Sequence, residues 1–152
     1  MKILFTLLMS LLGLTTIKAQ TENVHYKKEL ADSLEADDYG MKTYILVILK
    51  TGDNKHLDKR IQDSLFVGHL QNIGRLANAG KLIIAGPLQK NKKSYEGIFV
   101  LNVKTFDEAK ILLDTDPAIK SKILDTELFQ WYGSAALPLY LKYHDNVKKK
   151  NF

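Results

Sequence analysis

His69 and Asp116 are the two residues of this sequence whose types and surroundings suit proton-transfer chemistry. His69 belongs to the stretch GHLQNIGRLANAGKLIIAGP, residues 68–87, which is typical of a helix that runs into a strand. At about 100° per residue, the histidine projects near the centre of an apolar helix face and not onto its polar side. The other members of that face are Leu65, Leu70, Ile73, Leu76 and Ala77.

An imidazole in such a position has two interpretations. His69 can be a buried neutral side chain whose ring nitrogens bond to backbone or water, which is the usual case for a single histidine on an apolar face. It can also be a general acid and base, a role that needs both a pKa near neutrality and a second group that fixes the tautomer of the ring. The residue pattern alone leaves both interpretations open.

Asp116 has a structural interpretation that needs no chemistry. It directly precedes Pro117, and Asp followed by Pro is typical of a helix N-cap and the first helical position. Replacing such a cap by alanine costs roughly 1 kcal/mol of stability. A carboxylate at a helix N-terminus also stays ionised, so it would orient His69 if the fold brought the two side chains within hydrogen-bond reach.

Other kinds of site find little support in the sequence. The chain contains no cysteine, which excludes disulfides, thiolate nucleophiles, cysteine-based metal sites and a lipoprotein anchor. The remaining histidines, His25, His56 and His144, share no metal-ligand spacing. Neither a G-x-G-x-x-G nor a Walker pattern occurs. The sequence thus gives no support to a metal site or to a phosphate-binding loop.

The first residues predict export. Lys2 precedes an apolar run that is too short to span a bilayer, and Ala19 suits a cleavage position. We interpret residues 1–19 as a signal peptide, with an uncleaved anchor as the alternative. No later segment reaches the roughly 18 apolar residues of a membrane span. The mature protein is thus expected in the periplasm or outside the cell, without a stable membrane anchor.

The remaining chain divides into three parts. Residues 20–40 form a polar N-terminal extension, residues 41–137 the domain, and residues 138–152 a basic tail. The formal net charge is +5, but the tail lysines join no basic patch, so nucleic-acid binding is not expected.

Within the domain, the patterns predict strands at 43–50, 81–87, 97–103 and 124–132. They also predict a helix at 57–79, a second helix that begins at the capping box of Thr105 and Glu108, and a third that begins at 116–117.

The order of these elements, βαββαβ, predicts an α+β ferredoxin-like sandwich with both long helices on one face of the sheet. The first strand is nevertheless aliphatic on both of its alternating faces. Because the helices can cover only one face, the other needs a different cover. A homodimer that joins the two sheet faces is the simplest arrangement.

Three segments resemble the YCII-related (YciI-like) family: GHLQNIGRLANAGKLIIAGP, GIFVLNVKTFDEAKILLDTDPAIKS and WYGSAAL. The resemblance covers roughly residues 41–137. It implies a dimeric α+β barrel and places the family's pocket histidine and aspartate on His69 and Asp116. Most members have no assigned reaction, and a few relatives act on ring compounds as lactone isomerases or dehydrochlorinases without a cofactor. This chain departs from the family at Lys122, where a glycine is common, and in its signal peptide.

The leading hypothesis is cofactor-free acid/base chemistry on a small cyclic substrate by a pair formed from His69 and Asp116. Since the pair includes no nucleophile, isomerisation or elimination is favoured over covalent hydrolysis. Two alternatives remain. The protein can be a non-catalytic module that binds a small ligand, or the domain can be a structural dimerisation unit only.

Overall fold

The structure, a computed structural model, describes residues 23–54 and 56–150. The predicted signal peptide at 1–19 lies outside these residues, as do the first residues of the N-terminal extension and the end of the basic tail. The elements are α1 (Lys28–Ser33), β1 (Met41–Thr51), α2 (Lys59–Asn78), β2 (Leu82–Pro87), β3 (Tyr95–Leu101), α3 (Phe106–Leu113), α4 (Pro117–Lys120), β4 (Leu124–Ser134) and α5 (Leu141–Val147), with a short 3-10 helix at Leu137–Tyr140. Within the described ranges, no helix has the length and hydropathy to cross a membrane.

The strands form one antiparallel sheet in the order β2-β3-β1-β4. This order, with α2 between β1 and β2 and α3 and α4 between β3 and β4, is the ferredoxin-like α+β fold. The fold class predicted from the sequence is confirmed. The central position of β1 explains its unbroken aliphatic run, since a central strand contacts neighbours on both edges and layers on both faces.

Local sequence signals explain where the long helices begin and end. The Asp58 side chain caps α2 by accepting a hydrogen bond from the backbone N–H of Arg60, 2.8 Å away. After α2, Gly80 takes a left-handed φ of 65°, as a helix C-terminal glycine does. The Thr105–Glu108 capping box is present at the start of α3.

The helix-facing side of the sheet holds the main hydrophobic core. Alternate residues of β1 and β3 point to this side, where α2, α3 and α4 cover them. One predicted member of the apolar face of α2 was wrong, because Leu70 is 45% exposed. The buried residues of this helix are His69, Asn72 and Leu76, a narrower stripe than the projection predicts. The buried residues of this core are Ile45, Val47, Leu49, Leu76, Leu82, Phe99, Leu101, Val103, Ala109, Leu113, Ala118, Ile119, Ile123 and Leu124.

The opposite face of the sheet carries a smaller apolar cluster. Tyr44, Ile83 and Val100 are buried there, and the segment after β4 covers them with Leu137 and Leu141. This segment covers only part of the face. Phe129, which pairs with Leu46 across β1 and β4, remains 49% exposed. Half-buried apolar residues thus continue beyond the cover, and the predicted sheet-to-sheet dimer stays a proposal.

Candidate functional site

His69 and Asp116 meet in the folded chain. The Nδ1 atom of His69 lies 2.8 Å from Oδ2 of Asp116, although 47 positions separate the two residues in the sequence. The Asp116 side chain is fully buried, and His69 is 8% exposed. The fold therefore brings the two predicted site residues into direct contact at the interface of α2 with α4.

A close approach of backbone to proline makes this contact possible. Gly68 precedes His69 on α2, and Pro117 follows Asp116 at the start of α4. A Cβ atom at residue 68 would lie 2.6 Å from Cγ of Pro117, which is far inside van der Waals contact. Since only hydrogen fits there, Gly68 sets the distance between the two helices. The sequence reasoning did not identify this role for Gly68.

The Asp116 carboxylate has a donor for each of its lone pairs. Its Oδ1 caps α4 by accepting from the backbone N–H groups of Ala118 and Ile119, at 3.0 and 3.3 Å. Its Oδ2 accepts from His69 and from Nδ2 of Asn72, the latter at 3.3 Å. A carboxylate offers about four acceptor positions, so the group is saturated. The helix-capping and histidine-binding roles therefore coexist in one side chain.

These contacts decide the charge state of Asp116. Burial is the largest single influence, and it raises the pKa of the carboxyl because it penalises the charged form. The hydrogen bond and positive charge of His69, followed by the bonds from Ile119 N–H and Asn72, act in the opposite direction. Their sum outweighs burial, and the pKa of Asp116 falls below its ordinary value. The side chain is thus a carboxylate at neutral pH and can only accept hydrogen bonds.

Asn72 links this carboxylate to a second layer of polar side chains. Its Oδ1 accepts from Nη2 of Arg75 at 2.7 Å and lies 3.1 Å from Oγ1 of Thr115. Arg75 also donates to Thr115 Oγ1 at 2.7 Å. Because Asn72 Oδ1 receives the guanidinium, its amide NH₂ must point at Asp116. The sequence reasoning missed Asn72, although its spacing of three residues from His69 put it on the same helix face.

The imidazole of His69 lies between two aromatic rings. Phe99 of β3 stacks on it with ring centroids 5.7 Å apart and an interplanar angle of 19°. Phe66, one turn earlier on α2, meets it edge-on at 6.1 Å and 85°. Together with the bond to Asp116, these contacts hold the ring in a single orientation. A leucine would fill this space, but it would leave the buried carboxylate without its partner.

The two ring nitrogens of His69 have different surroundings. Since Asp116 is an acceptor only, the proton of the neutral imidazole belongs on Nδ1. Among the described residues, no fully buried side-chain nitrogen or oxygen lacks a hydrogen-bond partner. The ring bonds to Asp116 through Nδ1, and no protein hydrogen bond reaches Nε2. Nε2 is therefore not fully buried, and it belongs to the 10% of the side chain that solvent reaches. The neutral ring therefore presents an accessible lone pair at Nε2.

Lys122 follows α4 in a left-handed conformation with φ of 62°. This backbone region favours glycine over residues that carry a side chain. The Lys122 carbonyl accepts from the backbone N–H of Asn54 at 3.0 Å. Gly52 approaches the same carbonyl so closely that a Cβ there would clash with its oxygen. The loop after α4 thus keeps its path with a lysine in a strained position.

A cleft opens beside the aromatic side of this arrangement. It has a volume of about 300 Å³ and is lined by Thr51, Gly52, Asn54, Gln62, Phe66, Glu96, Ile123 and Leu124. His69 itself is not among the lining residues. Phe66 connects the two, since one ring both lines the cleft and contacts the imidazole. Within the described part of the chain, no group of three or more His, Cys, Asp or Glu side chains could hold a metal ion.

Comparisons with known proteins add little to this picture. No protein-family model matches the chain, and no curated protein matches it either. Among solved structures, one similar chain is the 5-chloro-2-hydroxyhydroquinone dehydrochlorinase of Burkholderia phenoliruptrix AC1100 in complex with 2,5-dihydroxybenzoquinone. The two share 17% identity at a TM-score of 0.42, over 57% of this chain and 92% of the other. At this level of similarity, neither the reaction nor the ligand of that enzyme transfers to the present chain.

Proposed function

We propose that this protein is a cofactor-free enzyme that moves a proton on a small cyclic substrate, with His69 as the acid/base group. One observation carries the proposal: the buried Asp116 carboxylate accepts the hydrogen bond from His69 Nδ1 at 2.8 Å, which leaves Nε2 as the reactive nitrogen. A histidine that served packing alone would not need an ionised partner in the protein interior, because burying a charge is costly.

The chemistry follows from the atoms present. Nε2 of the neutral ring takes a proton from a carbon that an adjacent carbonyl acidifies. Asp116 then stabilises the imidazolium that results, and it keeps the ring from turning. The electron pair left on the substrate either accepts the proton back at a different carbon, which is isomerisation, or expels a leaving group, which is elimination.

Membership of the YCII-related family is part of the proposal. Its support is the set of motifs at residues 68–87, 97–121 and 131–137 together with the ferredoxin-like strand order. The contacts of Gly68 with Pro117 and of His69 with Asp116 join the motifs at 68–87 and 97–121 in one site. We also propose that the chain forms a homodimer through the sheet face that carries Phe129.

We further propose that the protein acts in the periplasm or outside the cell, because residues 1–19 have the composition of a signal peptide. Intact-mass measurement of the protein recovered from the exported fraction tests this directly. A mature chain that begins at Gln20 supports the proposal. A mass that includes residues 1–19 contradicts it.

Deuterium exchange in D₂O tests the proton-transfer activity across a whole class of candidate substrates. A panel of small unsaturated cyclic ketones and lactones is incubated with the protein, and NMR follows incorporation of deuterium beside the carbonyl. His69→Gln should lower the enzyme-dependent exchange rate by about 10²- to 10⁴-fold, the usual contribution of a positioned acid/base group. Asp116→Asn should lower the same rate.

His144→Gln is the matched control, since His144 lies exposed on α5. It should leave the exchange rate unchanged. Ligand-dependent thermal stabilisation without His69-dependent exchange would instead favour the non-catalytic binding module. Absence of both exchange and stabilisation across the panel would favour the structural dimerisation unit.

A further inference from the structure

We propose that the cleft beside Phe66 is the ligand-binding site of this protein and that it takes a single-ring molecule that carries a hydroxyl or amine group, not an anion. The link of this cleft to catalysis rests on the proposed function of His69. The binding claim itself stands on the residues of the cleft and is tested by binding alone.

An irregularity of the sheet directs a carboxylate into this cleft. Along β1 and β3, Leu49 pairs with Gly97 but Lys50 pairs with Tyr95, so Glu96 has no partner across the strand pair. This is a β-bulge, a feature that turns a side chain away from the regular alternation and is common next to functional sites. The Glu96 carboxylate accordingly accepts a hydrogen bond from the Thr51 hydroxyl and lines the cleft.

Two side-chain amides on the rim add hydrogen-bond acceptors to this carboxylate. Gln62 donates its amide nitrogen to the backbone oxygen of Leu57 at 3.0 Å. Asn54 donates its amide nitrogen to the backbone oxygen of Ser121, also at 3.0 Å. Both residues therefore keep their amide oxygens for other partners. A ligand that satisfies these oxygens and the carboxylate must bring donors, which hydroxyl and amine groups supply.

Charge points to the same class of ligand. Among the described residues that line the cleft, Glu96 is the only one with a formal charge. A carboxylate or phosphate on the ligand would approach this negative charge without a lining cation to balance it. A neutral alcohol avoids that repulsion, and an ammonium group gains an opposite charge.

The shape of the cleft suits one ring. Ile123 and Leu124, both buried, form an apolar floor, and the half-exposed Phe66 ring forms a wall on which a flat molecule can stack. A volume of about 300 Å³ is at the small end of ligand sites. An apolar body with a few directed polar groups is the general pattern of such sites.

Binding of three probes with the same ring and different charge tests the inference. Benzylamine, benzyl alcohol and benzoate are compared by ligand-detected NMR with the full-length mature protein. Ligands of this size bind with dissociation constants of roughly millimolar order. Benzylamine and benzyl alcohol should bind, with benzoate at least roughly tenfold weaker. Equal binding of benzoate would overturn the inference.

Variants locate the probes within the molecule. Glu96→Gln should weaken benzylamine by roughly tenfold, the usual size of a lost charge-assisted hydrogen bond, and benzyl alcohol by less. Phe66→Leu should weaken both probes. Glu29→Gln makes the same change on exposed α1 and should alter neither. Binding that is indifferent to both cleft variants would place the probes elsewhere and refute the inference, whether or not His69 supports deuterium exchange.

Discussion

Gly68 of α2 lies directly against Pro117 of α4, and the residues next to them in sequence, His69 and Asp116, form a hydrogen bond of 2.8 Å. The absence of a side chain at residue 68 thus permits the contact between the side chains of His69 and Asp116. Because a methyl group at residue 68 would lie 2.6 Å from the proline Cγ, the two helices cannot stay at their present distance with any larger residue.

Replacement of Gly68 should therefore destabilise the fold. Gly68→Ala forces α2 and α4 apart, and overpacking of this kind costs about 1–3 kcal/mol in the free energy of unfolding. Gly74→Ala is the matched control, since Gly74 lies on the same helix and a Cβ there would meet nothing within 4 Å. The control should gain up to about 1 kcal/mol from the better helix propensity of alanine. Urea denaturation that finds both variants equally stable would contradict the packing argument.

The lowered pKa of Asp116 predicts how stability responds to acid. In the unfolded chain this carboxyl titrates near its ordinary value of about 3.9, whereas in the folded protein its pKa is lower. The unfolded state therefore takes up the proton first. The contribution of the ionised carboxylate to stability is complete above the unfolded pKa and is lost as the pH falls through the folded pKa.

The Asp116→Asn variant has no titratable group at this position, so it should lack this pH-dependent contribution to stability. We expect the wild-type protein to exceed the variant in free energy of unfolding at about pH 5 and the difference to shrink as the pH falls toward about 2. Urea denaturation at several pH values measures it. A difference that stays constant over this range would show that the charge of Asp116 contributes nothing.

Asn72 should act as a positioning residue for Asp116. Asn72→Ala removes one donor from the carboxylate and leaves Arg75 and Thr115 without their shared acceptor. We expect a loss of about 1–2 kcal/mol in stability and a rise in the pKa of Asp116. Carboxyl ¹³C NMR measures the change in pKa.

Asn102→Ala is a control for the loss of a part-buried asparagine bond, because the Asn102 amide donates to the Gly80 carbonyl at 3.2 Å, away from the site. It should lower stability without a change in the titration of Asp116. If both variants leave that titration unaltered, Asn72 is only a packing residue.

The exposed apolar sheet face predicts the oligomeric state. The wild-type chain should have twice the monomer mass in light scattering at micromolar concentration, since burial of Phe129 and its neighbours removes apolar surface from water. Phe129→Lys should yield monomers because it places a charge in that interface. Ile111→Lys introduces the same residue on the helix side, where Ile111 is already exposed, and should remain dimeric. A wild-type monomer would refute the homodimer.

Much of the fold followed from local patterns. The β-branched run of β1, the capping box of α3 and Gly80 after α2 each carried a signal within a few residues, and the element order then fixed the fold class. The border of the α2 face could not be predicted from periodicity. Leu70 was expected inside and is 45% exposed, because the packing of the helix against the rest of the fold decides which flank is covered.

The candidate site could be predicted only in part. The types and motifs of His69 and Asp116 singled them out, but their hydrogen bond depends on the crossing of α2 and α4, which no short window of sequence contains. Asn72 and Gly68 were missed for the same reason, since each acts through a residue more than 40 positions away. The bulge at Glu96 is likewise a property of two paired strands and has no local signature.

The tautomer of the His69 ring tests the catalytic arrangement without any substrate. Heteronuclear NMR of ¹⁵N-labelled protein, at a pH where the ring is neutral, shows which nitrogen carries the proton. We predict that the proton resides on Nδ1 in the wild type, because the Asp116 carboxylate accepts it, and that Asp116→Ala loses this preference. A wild-type ring with its proton on Nε2 would leave no base at the accessible nitrogen, and it would contradict the proposed role of the pair.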